Sequence, residues 1–182
     1  MLKQKDNPPV QFPAGLAIEQ FPDRWCVAHT RPRQEKALAW DILRSGGRYF
    51  LPMYEVTRKS RGRSWKSLLP LFSGYVFLCG SGDDRVQALT TNRVAKLIEV
   101  ADQARLLGEL SAIQRILESG MAVDPYRALK KGALCRVRTG PLAGLEGRVE
   151  RRGRSTRFIV NVTMLGQGAM VEIDATFLEP AE

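Results

Sequence analysis

The residues of this 182-residue chain that could do covalent or metal chemistry are few and poorly spaced for it. The only histidine, His29, stands at the end of an apolar run, and a hydrolase or metal centre needs partners that its neighbours do not supply. It reads as a strand-end residue. Asp83-Asp84 reads as negative charge at a helix N-terminus rather than as a metal pair. Cys26, Cys79 and Cys135 are odd in number, far apart and each embedded in an apolar, strand-like stretch. Neither a disulfide framework nor a zinc site has that spacing, so they are expected to be reduced, buried thiols of a cytosolic protein. Gly140 to Gly147 has the glycines of a phosphate loop but neither the Gly-Lys-Ser/Thr ending nor a strand-to-helix context. Those glycines are expected to supply positive φ angles in turns. The expectation is no catalytic residue, no metal, no cofactor and no enzyme.

Binding chemistry remains. Twenty-eight Lys and Arg against 19 Asp and Glu give a net charge of +9, which favours polyanions through phosphate contacts and counterion release. The charge is concentrated in Arg58-Lys-Ser-Arg-Gly-Arg-Ser-Trp-Lys66, five basic residues without an acid. Arg58, Lys59, Arg61, Arg63 and Lys66 are therefore expected on an exposed loop or hairpin tip. They either touch nucleic acid or form a solvated tip, and Trp65 favours contact, because an exposed indole among basic residues usually covers something. Affinity rather than sequence reading is expected from them. Hydrophobic residues at 44% and charged ones at 26% are a globular balance, and no apolar run approaches the roughly 20 residues that cross a bilayer. Residues 1–24, with Pro8, Pro9, Pro13 and Pro22, lack a secretory pattern and read as a flexible leader. A cytoplasmic monomer without a membrane partner is expected.

The elements that must position these residues follow from periodicity. Trp25 to His29 reads as a strand, with Thr30 as N-cap and Pro32 in the first turn of a helix through Arg44, stopped by Gly46-Gly47. Tyr49 to Val56 and Leu68 to Leu78 read as β runs flanking the basic segment, and Asp83 to Thr91 as a short helix before a strand from Ala95 to Val100. Leu106, Leu110, Ile113 and Leu117 mark a helix from Asp102 to about Glu118. After a linker at 122–128 the texture changes to short, glycine-broken β runs, Leu134 to Arg138, Gly147 to Arg151, Arg157 to Val162 and Ala169 to Ile173, as in a small barrel. The fold class expected is α+β: an antiparallel sheet with helices over residues 25–121, then an all-β domain over 129–182.

Two motifs carry a resemblance. Leu71-Phe72-Ser73-Gly74-Tyr75-Val76-Phe77-Leu78 resembles the F-[FP]-G-Y-[VL] signature of the amino-terminal (NGN) domain of NusG-type transcription factors. Gly140-Pro-Leu-Ala-Gly144-Leu-Glu146-Gly147-Arg-Val149 resembles a KOW motif, which belongs to an SH3-like barrel. Their order and the layout of elements from Trp25 onward agree with that family. Two departures, His29-Thr-Arg-Pro-Arg-Gln-Glu35 in place of a Gly-x-Glu-type turn and Ser73 in place of the signature proline, look more like the RfaH and polysaccharide-operon antiterminators than the housekeeping members.

The resemblance implies a factor that binds bacterial RNA polymerase and promotes processive elongation, with Phe72, Tyr75, Leu71 and Tyr54 at the polymerase surface. Strand alternation would put Phe72, Gly74, Val76 and Leu78 on one face and Tyr75 and Phe77 on the other, so one aromatic docks and the other packs. Phe72 is expected to dock. Arg31, Thr91, Asn92 and Arg93 match positions that lie near non-template DNA in the specialised paralogues, although Arg31 and Asn92 read equally well as helix-end residues. Upstream DNA or the polymerase lobe opposite the clamp is the implied partner of the basic segment. Met164, Leu165 and Gly166 would bind a small-subunit ribosomal protein or Rho, unless Leu165 is a buried barrel residue. The alternative is a general KOW-type nucleic-acid or ribosome-binding protein, which explains the charge and the barrel but not the Phe72 signature.

Overall fold

The structure, a computed structural model, describes residues 6–60, 62–126, 132–152 and 155–181. In chain order it holds β1 (Gln11–Phe12), β2 (Trp25–Thr30), α1 (Glu35–Arg44), β3 (Arg48–Phe50), β4 (Met53–Ser60), β5 (Arg63–Pro70), β6 (Tyr75–Cys79), α2 (Gly82–Thr90) and β7 (Val94–Glu99). There follow α3 (Gln103–Glu118), β8 (Val123–Tyr126), β9 (Ala133–Val137), β10 (Glu146–Arg152), β11 (Ser155–Val162), β12 (Gln167–Ile173) and β13 (Leu178–Pro180). The chain forms two compact units, residues 1–104 and 105–182, divided within the first turn of α3.

The first unit is an antiparallel sheet in the order β1-β3-β6-β2-β7, with β4 and β5 as a separate hairpin. Alternation along β2 and β6 decides what each face buries. Cys26, Ala28, Val76 and Leu78 face Leu38, Ala39 and Ile42 of α1 and Ala88 of α2, in one apolar cluster. Trp25, Val27, Phe50 and Phe77 occupy the opposite face and are also buried. Each such side chain contributes about 1.5–3 kcal/mol by leaving water. The second unit carries a six-stranded antiparallel sheet in the order β13-β9-β10-β11-β12-β8. An α+β first unit followed by an all-β sheet is the fold class the periodicity predicts.

Several local expectations are corrected. The helix does not start at Thr30, which is the last residue of β2 and donates its backbone N–H to Gly74 O at 2.8 Å. Residues 31–34 form a turn with Arg33 at φ +62°, so α1 begins at Glu35. Residues 9–18 of the expected leader are pinned to the first unit: Leu51 N–H donates to Val10 O at 2.7 Å, Tyr49 Oη–H to Pro9 O at 2.9 Å, and Ile18 is fully buried. The expected linker at 122–128 contains β8, which pairs with β12, and residues 127 and 128 lie outside the described ones. Pro125 hid that strand and Pro180 hid β13. Both strands are edges of their sheet, where a missing N–H costs no ladder bond. Gly140 and Gly144 have φ of +86° and +82°, as turn glycines do, whereas Gly147 sits inside β10. A Cβ there would lie 2.6 Å from Ile159 O and 2.7 Å from Phe158 Cζ, so that glycine answers to space rather than to φ.

Candidate functional site

The signature segment is built by a tight turn. Tyr75 N–H donates to Phe72 O at 3.1 Å, closing Phe72-Ser73-Gly74-Tyr75, and Gly74 takes φ +85°, as the third residue of a type II turn does. The Gly74 N–H donates to Glu35 Oε1 at 2.7 Å, and Glu35, only 7% exposed, is the first residue of α1. Sequence reasoning missed Glu35: its partner is a backbone amide 39 residues away, and no pattern announces that.

Because the turn precedes β6, strand alternation does not extend to Phe72. Its ring lies on the Phe77 side, edge-on at 5.9 Å and 89°, and Phe77 in turn tilts against Phe50 at 6.3 Å. Phe72 is 1% exposed and Leu71 is buried beside it in sequence. The expectation that these two meet a partner is therefore corrected: they are core residues of this conformation. Tyr75 is partly exposed and stacks on the exposed His29, with ring centroids 5.1 Å apart. The register sets Lys96 on the other side of His29, so Tyr75, His29 and Lys96 form a cross-strand row that reaches solvent. Tyr54 is partly exposed on β4.

Arg31 and the Thr91-Asn92-Arg93 turn do come together, since Arg31 N–H donates to Arg93 O at 2.8 Å. Two of the four are already engaged internally. Arg93 ion-pairs with Asp41 and donates to Gln34 Oε1 at 2.6 Å, and Thr91 Oγ1–H donates to Ala88 O at 2.6 Å at the end of α2. Asn92, exposed, holds φ +59° in the turn after α2, a backbone role that asparagine tolerates. Arg31 is exposed.

The basic segment is the distal half of the β4–β5 hairpin. Opposed residues share a face: Tyr54↔Leu69, Val56↔Ser67 and Arg58↔Trp65 on one side, Glu55↔Leu68, Thr57↔Lys66 and Lys59↔Ser64 on the other. Lys66 pairs with Glu55 at 2.8 Å, which removes it from the free cations. Arg58, Lys59 and Arg63 are exposed and Trp65 is 38% exposed; Arg61 lies outside the described residues. Lys36 of α1 fixes the hairpin base, donating to Leu68 O and to Asn7 Oδ1, each at 2.5 Å, and burial lowers the pKa of its ammonium.

In the second unit Met164 and Leu165 lie in a 3-10 turn ended by Gly166 at φ +63°. Met164 is 39% exposed and Leu165 partly buried. Glu109 of α3 clamps the turn, accepting from Thr163 N–H at 3.1 Å and from its hydroxyl at 2.6 Å. The thiols are poorly suited to nucleophilic work: burial raises Cys26 and pushes Cys79 up to about 11, so neither is a thiolate at neutral pH. Cys135 is half-buried.

The family model described as transcription termination factor nusG matches residues 23–117, more than half of the chain. The chain belongs to the NusG family of transcription factors. Among solved structures it is similar to Thermotoga maritima NusG, in a structure concerned with domain interaction, at 18% identity and TM-score 0.50, covering 88% of this chain and 98% of that one. At that identity the likeness establishes fold. A second solved structure, the MjSpt4:Spt5 complex in conformation B, matches at 14% identity and TM-score 0.27, covering 87% of this chain and 97% of that one. No curated protein sequence matches.

Proposed function

We propose that this chain is a transcription elongation factor that binds bacterial RNA polymerase through its first unit and promotes processive elongation, as an operon-directed, RfaH-like member of its family. Family membership supplies the class. The observation that carries the rest is the solvent-facing row of Tyr75, His29 and Lys96 at the end of a rigid sheet. An aromatic held by stacking loses little entropy on docking and seats well in a partner's apolar surface, which is how interface hot spots work. Tyr75, not Phe72, is the anchor in this reading, with Tyr54 as a second contact.

No bond need be made or broken. Tighter binding to a closed polymerase clamp than to a paused, open one shifts the population towards elongation. Arg31 and Asn92 offer side chains of the types that read base edges to non-template DNA, and the hairpin cations offer phosphate contacts to upstream DNA. The second unit, a KOW-type module in this reading, presents Met164, Leu165 and Gly166 to a small-subunit ribosomal protein or to Rho. Ser73 in place of the signature proline supports the specialised rather than the housekeeping branch. The factor acts as a cytoplasmic monomer.

The test is co-migration of the full chain with core RNA polymerase at low salt. Wild type is expected to bind and Tyr75→Ala to lose most of that binding while remaining folded. Failure of the wild-type chain to bind polymerase, together with recovery on ribosomes or bulk RNA, would replace this reading with a general KOW-type nucleic-acid binder.

A further inference from the structure

The hairpin is two-sided in charge as well as in register. On one face its sole acid, Glu55, is neutralised by Lys66. The other face runs from the base outward as Tyr54 and Leu69, Val56 and Ser67, then Arg58 and Trp65, with Arg63 two residues beyond Trp65 on the same strand and the same side. That face carries no acid, and among the described residues neither Arg58 nor Arg63 has an ion-pair partner. Trp65 is the one large hydrophobic side chain of the hairpin that is exposed. Its indole offers a flat π face to solvent beside two cations, the combination on which bases of a single strand stack.

We infer that this face is a stacking site for unpaired nucleobases: Trp65 takes the flat face of one base, and Arg58 and Arg63 take nearby phosphates. The geometry favours a single strand over a duplex. In a duplex every base face is occupied by its neighbours, so an indole can reach one only after unstacking, whereas a single strand offers faces freely. Arg58 is directly across the hairpin from Trp65, and Arg63 is two residues along Trp65's own strand on the same face. A strand with one base stacked on Trp65 has two cations within reach of its neighbouring phosphates. Stacking and phosphate contact are nearly blind to base identity, so the site is expected to bind strands without reading them. The inference rests on the hairpin's role as a nucleic-acid contact and not on polymerase docking.

The experiment uses the full chain, with oligonucleotide binding measured in the absence of polymerase and co-migration with core polymerase measured separately. Fluorescence anisotropy would follow the chain's binding to a labelled DNA 12-mer, to the RNA 12-mer of the same sequence, and to the DNA duplex. Wild type is expected to bind one or both single strands at least several-fold more tightly than the duplex, and the DNA and RNA arms say which strand it accepts. Trp65→Ala is expected to weaken single-strand binding by about tenfold and leave duplex binding nearly unchanged, while Trp65→Phe restores most of the loss. Arg58→Gln with Arg63→Gln is expected to weaken both and to flatten the salt dependence. Equal affinity for duplex and single strand, or Trp65→Ala binding single strands as wild type does, overturns the inference. So does a Trp65→Ala chain that loses polymerase but keeps its oligonucleotides, since that makes the indole a protein contact. Loss of the stacking effect with polymerase binding intact leaves the docking reading standing, so the two fail separately.

Discussion

Phe72→Ala is expected to destabilise the first unit by about 3–5 kcal/mol, because it deletes a ring packed edge-on against Phe77 and leaves a cavity the sheet cannot close. Tyr75→Ala, whose ring is partly in water, is expected to cost far less. Urea unfolding of the two variants separates them, and similar losses would contradict the placement of the rings. The same comparison shows where the sequence was legible and where it was not. Alternation rightly separated Tyr75 from Val76 and Leu78. It failed at Phe72 because period-two reasoning holds only inside a strand, and a turn with Gly74 at φ +85° stands between Phe72 and β6. Arg93 misled in a similar way. Its residue type suggested base reading, but Asp41 and Gln34, more than fifty residues away, already occupy its guanidinium.

At the scale of elements, α2 is the helix whose start is most fully specified. Ser81 accepts the Asp84 N–H at 3.4 Å, and Asp84 Oδ2 accepts both the N–H and the hydroxyl of Ser81, at 2.7 and 2.8 Å. Gly80 is required beside it, since a Cβ there would lie 2.5 Å from Asp84 Oδ2. The bonds from Ser81 hold the Asp84 pKa below its ordinary value. A depressed carboxylate contributes stability above its unfolded pKa, near 3.9, and that contribution is lost as pH falls through the folded value. Ser81→Ala is therefore expected to cost about 1 kcal/mol at neutral pH. The cost is expected to shrink below about pH 4, which thermal unfolding at the two pH values would show. The sequence placed negative charge at this terminus correctly, and it placed α3 almost to the residue because a long amphipathic stripe leaves few alternatives. It placed α1 too early, since a threonine followed by proline has the form of a helix start even where the threonine still belongs to β2. In the second unit, Glu109→Ala is expected to free the Thr163–Leu165 turn, read as faster amide exchange at residue 163 with the sheet unaffected.

For the whole molecule, the charge of +9 overstates what is free to bind. Arg44 and Arg93 share Asp41, Arg48 pairs with Asp23, Arg85 with Glu99, Arg105 with Glu109 and Arg136 with Glu146. Pairs at or near the surface add little stability, but they cancel charge locally, and among the described residues Arg58 and Arg63 of the hairpin are cations without an acid partner. Affinity for single strands is accordingly expected to fall roughly tenfold between about 50 and 200 mM salt, the slope of two or three phosphate contacts rather than of nine. A slope several times steeper would mean that the cations are spread over the surface instead. Composition gives the net charge; only the pairing of side chains in space says which cations are cancelled.

The turn at Gly74 also limits how this edge of the molecule can change. Its amide is committed to Glu35, its carbonyl to Thr30, and its φ of +85° would cost a side-chain-bearing residue about 1–2 kcal/mol. Leu71, Phe72 and Val76 are sealed in the core on either side. Ser73 and Tyr75 alone of these six positions combine an outward side chain with a backbone that any residue can adopt. Drift between related factors, or an engineered change of partner, is thus channelled through two adjustable letters in an otherwise frozen word.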